Sequence, residues 1–324
     1  MTFKTTDPMD SIEMRPIIEP IERKLLESEL TPDKFLRSTN KGGNEIYVAT
    51  AQDSPRIMDE IGRLRELSFR SAGGGTGVEV DIDELDLVEG GYKQLFVWDP
   101  QAREIIGGYR FIVCSNPHQK YLSTEHYFRF SNRFRNEYLP YTIELGRSFV
   151  QPKYQGTRES SKAIYSLDNL WDGLGALVVK NPESRYFFGK VTMYGKYNKA
   201  ARDILIFFLR KYFPDKDNLV IPIHPITLDI DYNAMEALFN GGSYDADYKI
   251  LSLEIRKLGE NIPPLINSYM NISPSMKVFG TVVNPDFGDV EETGILITID
   301  DIYLSKSERY YKLDDWNEYN SKKG

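Results

Sequence analysis

The chain is organised around one segment, Thr142-Ile143-Glu144-Leu145-Gly146-Arg147-Ser148-Phe149-Val150. Apolar residues alternate with others along it, and a turn containing Pro and Gly follows, so we interpret the segment as a strand. Glu144 and Arg147 are three residues apart, and on a regular strand they would point to opposite faces. A bulge at Gly146 would bring both side chains to one face. The alternative is a surface strand with an ordinary exposed ion pair, which contributes little to stability.

Length and composition predict a large globular protein with an acidic balance. The 324 residues are 41% hydrophobic and 13% aromatic, enough for a sizeable core in two domains or one large domain. A formal net charge of −8 argues against nucleic-acid binding, which needs a surface dominated by Lys and Arg. The middle of the chain is nevertheless basic, and it is either a solvated face or a docking site for an acidic partner. Its basic residues are Arg129, Arg133, Arg135, Arg147, Lys153, Arg158 and Lys162.

The cysteine, histidine and hydropathy patterns indicate the compartment. Cys114 is the single cysteine, which excludes an internal disulfide, and its apolar neighbours predict a buried structural thiol. His118, His126 and His224 lack the spacing of metal ligands, so we expect no metal site. Neither a signal-peptide start nor an apolar run of membrane-spanning length is present. We therefore predict a cytoplasmic protein that contacts the inner face of a membrane at most peripherally.

Strands and amphipathic helices alternate on both sides of this segment. The periodicity predicts a helix from Ser54 to about Arg70 and a hairpin formed by residues 92–99 and 104–113. The other predicted helices are 18–30, one that starts at Thr31, one that starts at Ser160 or Ser161, 199–213, 247–258 and 263–270. The other predicted strands are 45–51, 186–193, 277–283 and 294–299. This order predicts an α/β fold with an antiparallel first half and a parallel βαβ second half.

Charged residues inside these apolar patterns indicate a pocket. Arg65 lies at the edge of a helical apolar stripe, where a lone buried charge would be costly, and Arg110 lies within a strand. Asp81, Asp83 and Asp86 could hold Arg65, bind a cationic amine or be solvated turn residues. The glycine-rich residues before them lack the Gly-Lys-Ser/Thr ending of a phosphate loop, which excludes nucleotide binding there.

These residues occur in an order that resembles one superfamily. Arg65 and Phe69 in RELSF and the spaced acids 81–86 resemble acyl-homoserine-lactone synthases and the related ornithine and glycine N-acyltransferases, often labelled hemolysins. Arg110 in GGYRF and residues 144–147 in ELGR complete the pattern of these GCN5-related N-acetyltransferases (GNAT). The motifs LWDG at 170–173 and IPPLINSY at 262–269 resemble the ornithine and glycine branch specifically. The resemblance covers roughly residues 45–300.

The resemblance implies a GNAT-like α/β fold, with a central mixed β-sheet flanked by helices and a C-terminal α/β extension. Residues 1–44 would form an N-terminal arm and helices, 45–214 the acyltransferase core, and 215–324 the extension packed on it. The pantetheine loop of the superfamily is degenerate here, at residues 151–158. This departure favours acyl-phosphopantetheine on acyl carrier protein over acyl-CoA as the donor, with no permanently bound cofactor.

The implied reaction moves a long-chain (3-hydroxy)acyl group from acyl carrier protein to the α-amine of an amino acid. Glu144 would deprotonate the amine directly or through water, or only position it, because a nearby Arg147 would lower its pKa. Arg65, Arg110 and Arg147 would hold the acceptor carboxylate or the aspartates. The alternatives are a coenzyme A-dependent acetyltransferase of a small amine and a non-catalytic acyl-binding or hemolysin-type protein. The second lacks a spanning or strongly amphipathic basic segment.

On the donor side, free strand N–H groups around Phe149 and Val150 would bind pantetheine. The helix N-terminus at Ser160 and Ser161 would bind its phosphate. The candidates for protonating the departing thiolate are Tyr194 and Tyr197, although a structural role is open for both. The candidates for the lining of an apolar acyl channel are Phe69, Trp98 and Phe128.

Overall fold

A computed structural model describes residues 14–115, 122–155 and 161–303, without the side chains of residues 161–164. The strands are β1 (Phe35–Ser38), β2 (Glu45–Ala49), β3 (Lys93–Asp99), β4 (Glu104–Val113), β5 (Phe128–Phe130), β6 (Thr142–Val150), β7 (Tyr186–Met193), β8 (Val220–Pro222), β9 (Lys277–Asn284) and β10 (Val290–Thr298). Eight of them form one sheet in the order β1-β2-β3-β4-β6-β7-β10-β9, and β5 pairs with β8 separately. The predicted mixed central sheet is confirmed.

The sheet opens beside the organising segment. Strands β6 and β7 are the parallel pair, and their register runs from Thr142 opposite Tyr186 to Leu145 opposite Gly189. The other neighbouring strands of this sheet are antiparallel. Both β6 and β7 continue past the last paired residues, so a gap begins in the sheet at Gly146.

Helices cover both faces of the sheet. They are α1 (Arg23–Glu29), α2 (Pro55–Ala72), α3 (Glu84–Leu87), α4 (Ser161–Lys180), α5 (Lys199–Tyr212), α6 (Tyr232–Leu238), α7 (Tyr244–Lys257) and α8 (Pro264–Met270). Helix α2 shares one hydrophobic cluster with Phe96 and Phe149, whereas α4, α5, α7 and α8 share a larger cluster on the other face. Gly173 of α4 lies so close to Leu95 of β3 that an added Cβ would approach its side chain to 2.6 Å. Among the described helices, none is long and apolar enough to cross a membrane.

Near the N-terminus one helix prediction is too long and another is wrong. The helix predicted for residues 18–30 is limited to α1, and Thr31 begins a turn that leads into β1. Pairing of β1 with β2 places residues 35–38 in the sheet, so tertiary contacts override the local helix-start signal. The same sheet contains β1 and, at its other edge, β9 and β10. The division into three parts at residues 44 and 214 stays a prediction.

Candidate active site

A β-bulge in β6 positions the two charges of the organising segment. Gly146 lies opposite Arg110 and Phe149 lies opposite Gly108, so Arg147 and Ser148 together occupy the place opposite one residue of β4. The prediction of a bulge at Gly146 is wrong by one position, because Arg147 itself takes the left-handed conformation with φ of 49°. Its side chain thereby reaches the α2 face of the sheet, where Arg110 and Glu144 also point.

Arg65 and Arg110 form a buried network with the aspartates. The Arg65 side chain has 0% exposure, and its Nη1 lies 3.2 Å from Asp86 Oδ2. Arg110 Nη1 lies 2.6 Å from Asp83 Oδ2 and 3.4 Å from Asp86 Oδ2. Gln94 accepts a hydrogen bond from Arg65 and donates one to Asp86. The carboxylates therefore hold the arginines, which leaves Arg65 no exposed surface for the carboxylate of an acceptor.

Arg147 joins the network from the other side and faces open space. Its Nε lies 3.1 Å from Asp81 Oδ2, and its guanidinium lies over the Phe287 ring at 4.5 Å. Burial raises the pKa of Asp81, although Arg147 and Arg65 oppose the shift. For Asp83, burial is outweighed by the charges of Arg110 and Arg147 and by a hydrogen bond from Arg110, which hold its pKa below the usual value. Arg147 keeps 18% side-chain exposure and can still meet a ligand.

Glu144 is a fully buried carboxylate that hydroxyl groups hold. Its Oε1 accepts hydrogen bonds from Tyr92 Oη at 2.8 Å and Ser123 Oγ at 2.7 Å, and its Oε2 accepts one from Thr124 Oγ1 at 3.1 Å. Burial raises the pKa of Glu144, while the hydrogen bonds from Ser123 and Tyr92 and the charge of Lys190 oppose the shift. Glu144 and Arg147 thus lie on the same face of the sheet, each with its own partners.

A cleft of about 580 Å³ lies at the gap between β6 and β7. Its lining includes Phe69, Arg110, Ser123, Gly146, Arg147, Ser148, Lys190, Thr192, Met193, Tyr194, Lys196, Tyr197, Glu260, Asn261, Ile262, Pro263, Pro264, Leu265, Phe287 and Glu292. Ser123 lies between this space and Glu144, so its hydroxyl is the connection between the cleft and the buried carboxylate. The sequence gives no signal for Ser123, because an isolated serine before the strand has no distinctive spacing.

A mostly buried Lys–Glu pair lines the cleft, and it was not predicted from the sequence. Lys190 Nζ lies 2.6 Å from Glu292 Oε2, and Asn284 Nδ2 donates to the same oxygen at 3.1 Å. Burial lowers the pKa of Lys190, the Glu292 carboxylate opposes that shift, and Arg147 adds to it. Lys190 interrupts an apolar strand as Arg110 does, so the same signal could have found it.

The chain is similar along nearly its whole length to two proteins named glycine N(alpha)-acyltransferase. The protein of Phocaeicola vulgatus is 56% identical over 302 residues, which cover 92% of this chain and 93% of the relative. The protein of Bacteroides thetaiotaomicron is 53% identical over 302 residues, which cover 92% and 90%. Residues 64–164 match the acetyltransferase (GNAT) domain family. This chain belongs to the family of these N-acyltransferases.

The protein is therefore an acyltransferase with a GNAT-like fold, as the resemblance implied. Among solved structures, that of the CoA-dependent acyl-homoserine lactone synthase BjaI is 10% identical with a TM-score of 0.35, and the match covers 86% of this chain and 100% of that chain.

Phe149 and Val150, the residues predicted to bind pantetheine, are not among those that line the cleft. Phe149 lies opposite Gly108 of β4, and its ring is buried in the α2 cluster. Since Gln151 N–H donates to the Ile106 carbonyl of β4, the N–H of Val150 points to the other edge of β6. Ser160 lies outside the described residues, and of Ser161 only its place as the first residue of α4 is described.

The aromatic residues predicted to protonate the thiolate or to line an acyl channel fall into two groups, one that lines the cleft and one that lies in the hydrophobic core. Tyr194 and Tyr197 line the cleft, and Tyr197 Oη donates to the Asn261 carbonyl at 3.0 Å. Burial, with a smaller contribution from Glu292, raises the pKa of Tyr194 to about 12. Phe69 also lines the cleft. The prediction of an acyl channel at Trp98 and Phe128 is wrong, because both side chains are used in the hydrophobic core.

The basic middle of the acyltransferase chain is largely neutralised by local ion pairs. Arg133 pairs with Glu137 and Asp217, Arg135 with Glu125, and Lys153 with Glu104. The side chains of Arg158 and Lys162 lie outside the described residues. Lys196, by contrast, is exposed in the lining of the cleft, and within the described residues no carboxylate lies within 4 Å of it.

Proposed function

We propose that this N-acyltransferase moves a long-chain 3-hydroxyacyl group from acyl carrier protein to the α-amine of glycine. The observation that carries the proposal is the cleft between β6 and β7, where a relay to a buried carboxylate, two cations and an apolar wall meet. Two relatives at 56% and 53% identity that are named for glycine support the choice of acceptor.

The acceptor carboxylate would bind between Arg147 and Lys190. Both cations line the cleft, and each is held by a buried carboxylate, Asp81 for Arg147 and Glu292 for Lys190. Fixed cations of this kind bind a carboxylate with little loss of side-chain freedom. The amine at the other end of a small amino acid would then lie near Ser123 and Glu144.

The chemistry requires a neutral amine that attacks the thioester carbonyl. A C–N bond forms and the C–S bond breaks, and the proton of the amine passes through Ser123 to Glu144. The raised pKa of Glu144 makes it a stronger base than an exposed carboxylate. The raised pKa of Tyr194 keeps its hydroxyl protonated, so that it can donate a hydrogen bond to the departing thiolate, which takes a proton from solvent.

The donor would enter past Lys196, whose exposed ammonium suits the phosphate of phosphopantetheine. Beyond the mouth, residues 262–265 supply an unbroken Ile-Pro-Pro-Leu wall, and Met193 adds to it. This apolar surface fits the start of a hydrocarbon chain.

The test is an assay of the purified protein with 3-hydroxypalmitoyl acyl carrier protein and a panel of amino acids, with N-acyl products detected by mass spectrometry. We expect N-acylglycine as the main product. Glu144→Gln should lower kcat by about 10²–10⁴-fold, and Arg147→Ala should raise the KM for glycine more than it lowers kcat. Arg133→Ala, which removes two exposed ion pairs, is the matched control and should keep wild-type rates. No product with any acceptor, or wild-type rates in both site variants, would contradict the proposal.

A further inference from the structure

A small cavity, lined mainly by apolar side chains, adjoins the cleft where the gap passes through the sheet. Its volume is about 30 Å³, and it shares Gly146, Ser148, Lys190 and Leu265 with the lining of the cleft. The other lining residues are Tyr109, Leu145, Phe187, Phe188, Gly189, Tyr269, Ile295 and Ile297. A cavity needs about 10–15 Å³ to hold one water molecule, so this one suits a small polar group and is too small for a hydrocarbon chain.

Three hydroxyl groups meet in this otherwise apolar cavity. Tyr109 extends from β4 opposite the bulge, Ser148 is part of the bulge, and Tyr269 belongs to α8. The hydroxyls of Ser148 and Tyr269 lie next to that of Tyr109. Burial raises the pKa of both tyrosines, so both hydroxyls stay protonated and available as donors.

The hydroxyl of Tyr109 is buried and lacks a well-oriented hydrogen-bond partner within the described residues. The residue is 2% exposed, and within the described part of the chain its Oη makes no hydrogen bond of good geometry. Leaving a buried hydroxyl without a partner is unfavourable, and buried polar groups in proteins are generally satisfied by a protein group, a ligand or an ordered water. Because the cavity shares lining residues with the cleft, a polar group of a ligand bound in the cleft can take the place of an ordered water beside Tyr109 Oη.

We propose that Tyr109, with Ser148 and Tyr269, binds the hydroxyl group on the third carbon of the acyl chain and so selects 3-hydroxyacyl donors. This inference rests on the proposed function and names the residues that recognise the donor. The thioester carbonyl must lie near Ser123 and Gly146 to meet the amine, and the third carbon lies only two carbons farther along the chain. A hydroxyl there would reach Ser148 at the boundary between the cleft and the cavity, whereas a plain chain would leave Tyr109 Oη with only the hydroxyls of Ser148 and Tyr269 beside it.

The experiment compares 3-hydroxypalmitoyl and palmitoyl acyl carrier protein as donors, with glycine as acceptor, by their kcat/KM values. The wild-type protein should prefer the hydroxylated donor by about 10–100-fold, which is the range expected when a buried polar group loses its partner. Tyr109→Phe should bring the ratio close to one by lowering kcat/KM for the hydroxylated donor while the value for palmitoyl stays near wild type.

Tyr47→Phe is the matched control, because it removes a tyrosine hydroxyl from β2, which β3 and β4 separate from β6. It should keep the wild-type ratio. Tyr109→Phe should melt close to the wild-type temperature, since the hydroxyl that it removes makes no hydrogen bond of good geometry within the described residues, and this separates recognition from unfolding. Equal use of both donors by the wild-type protein, or a preference that survives Tyr109→Phe, would overturn this inference alone. No turnover with either donor would overturn it together with the proposed function.

Discussion

Glu144, the base in the proposed reaction, is a buried carboxylate whose pKa depends on its immediate surroundings. Within the described residues no cation lies within 4 Å of it, and its partners are the hydroxyls of Tyr92, Ser123 and Thr124. The sequence suggested that Arg147 would lower its pKa. In the structure Arg147 pairs with Asp81 and Asp83 instead. Burial therefore dominates, and the pKa of Glu144 is raised.

The raised pKa of Glu144 predicts an unusual pH dependence. The substrate amine is itself mostly protonated near neutral pH, so log kcat/KM should rise with a slope of one as pH increases. Below the pKa of Glu144 the base is protonated as well, and the slope should steepen to two at a pH above the ordinary glutamate value of 4.5. Glu144→Gln should show a slope of one throughout. A wild-type profile without the steeper limb would contradict base catalysis by Glu144.

The same burial gives this carboxylate a stability effect of defined sign. A folded-state pKa above the unfolded value means that the folded protein binds the proton more tightly, so the stabilising contribution is present at low pH and is lost as pH rises through the raised pKa. Urea unfolding at several pH values should therefore show Glu144→Gln gaining stability relative to the wild-type protein as pH rises. A stability difference that does not vary with pH would contradict this expectation.

The sequence identifies some site residues and conceals others for a physical reason. Arg65 and Arg110 stand out because a charge within an apolar pattern needs a buried partner. Ser123 and Tyr109 do not stand out, because serine and tyrosine fit both buried and exposed positions and this chain contains 21 tyrosines. Their roles depend on which strands become neighbours, and local spacing does not encode that.

At the scale of the element, the bulge in β6 depends on the backbone of Arg147. A φ of 49° is unfavourable for a residue with a Cβ and is readily adopted by glycine. We predict that the free energy of unfolding of Arg147→Gly is about 1 kcal/mol higher than that of Arg147→Ala. Both variants lose the guanidinium, so this difference reports on the backbone. Urea denaturation of the two variants measures the difference. Equal stability would indicate that the bulge relaxes when the arginine is removed.

A position on a regular strand provides the control for this prediction. Val283 lies on the edge strand β9 with 44% exposure and takes no part in the cleft. There glycine should be less stable than alanine by about 0.5–1 kcal/mol. If glycine is more stable than alanine at residue 147 and less stable at residue 283, the difference is due to backbone conformation at residue 147.

The bounds of helices and strands were predicted accurately where a hydrophobic pattern extends over many residues. They were predicted poorly where pairing with another strand determines the secondary structure. Helices α2 and α5 and strands β3, β4, β6 and β7 lie close to their predicted bounds, because each carries a sustained period of 3.6 or 2. Strand β1 has four residues, too few to show a period against the Thr31-Pro32 helix signal. Strand β10 starts at Val290, four residues before its predicted start, because Glu291 and Glu292 obscure the alternation that the sheet imposes on them.

For the whole molecule, the last strands of the chain complete the site that the middle strands begin. Strand β10 pairs with β7 along its length and supplies Glu292 to Lys190. The segment before α8 supplies residues 262–265 to the apolar wall of the cleft. The lining of the cleft therefore comes from both sides of the predicted boundary at residue 214, which links the proposed acceptor site and the proposed acyl wall to the C-terminal part of the chain.

The overall charge yields the final prediction. The protein has a formal net charge of −8, so the proposed acidic carrier protein would have to be attracted locally, and the exposed Lys196 at the cleft is our candidate for this attraction. Screening shortens such attraction to about 8 Å at 0.15 M ionic strength. The KM for acyl carrier protein donors should therefore rise severalfold between low and physiological salt, while the KM for the uncharged donor palmitoyl-pantetheine stays constant. Lys196→Gln should raise the first KM and flatten its salt dependence, whereas Lys257→Gln, on the exposed side of α7, should change neither. Equal salt dependence for both donors would contradict recognition of the carrier protein by charge.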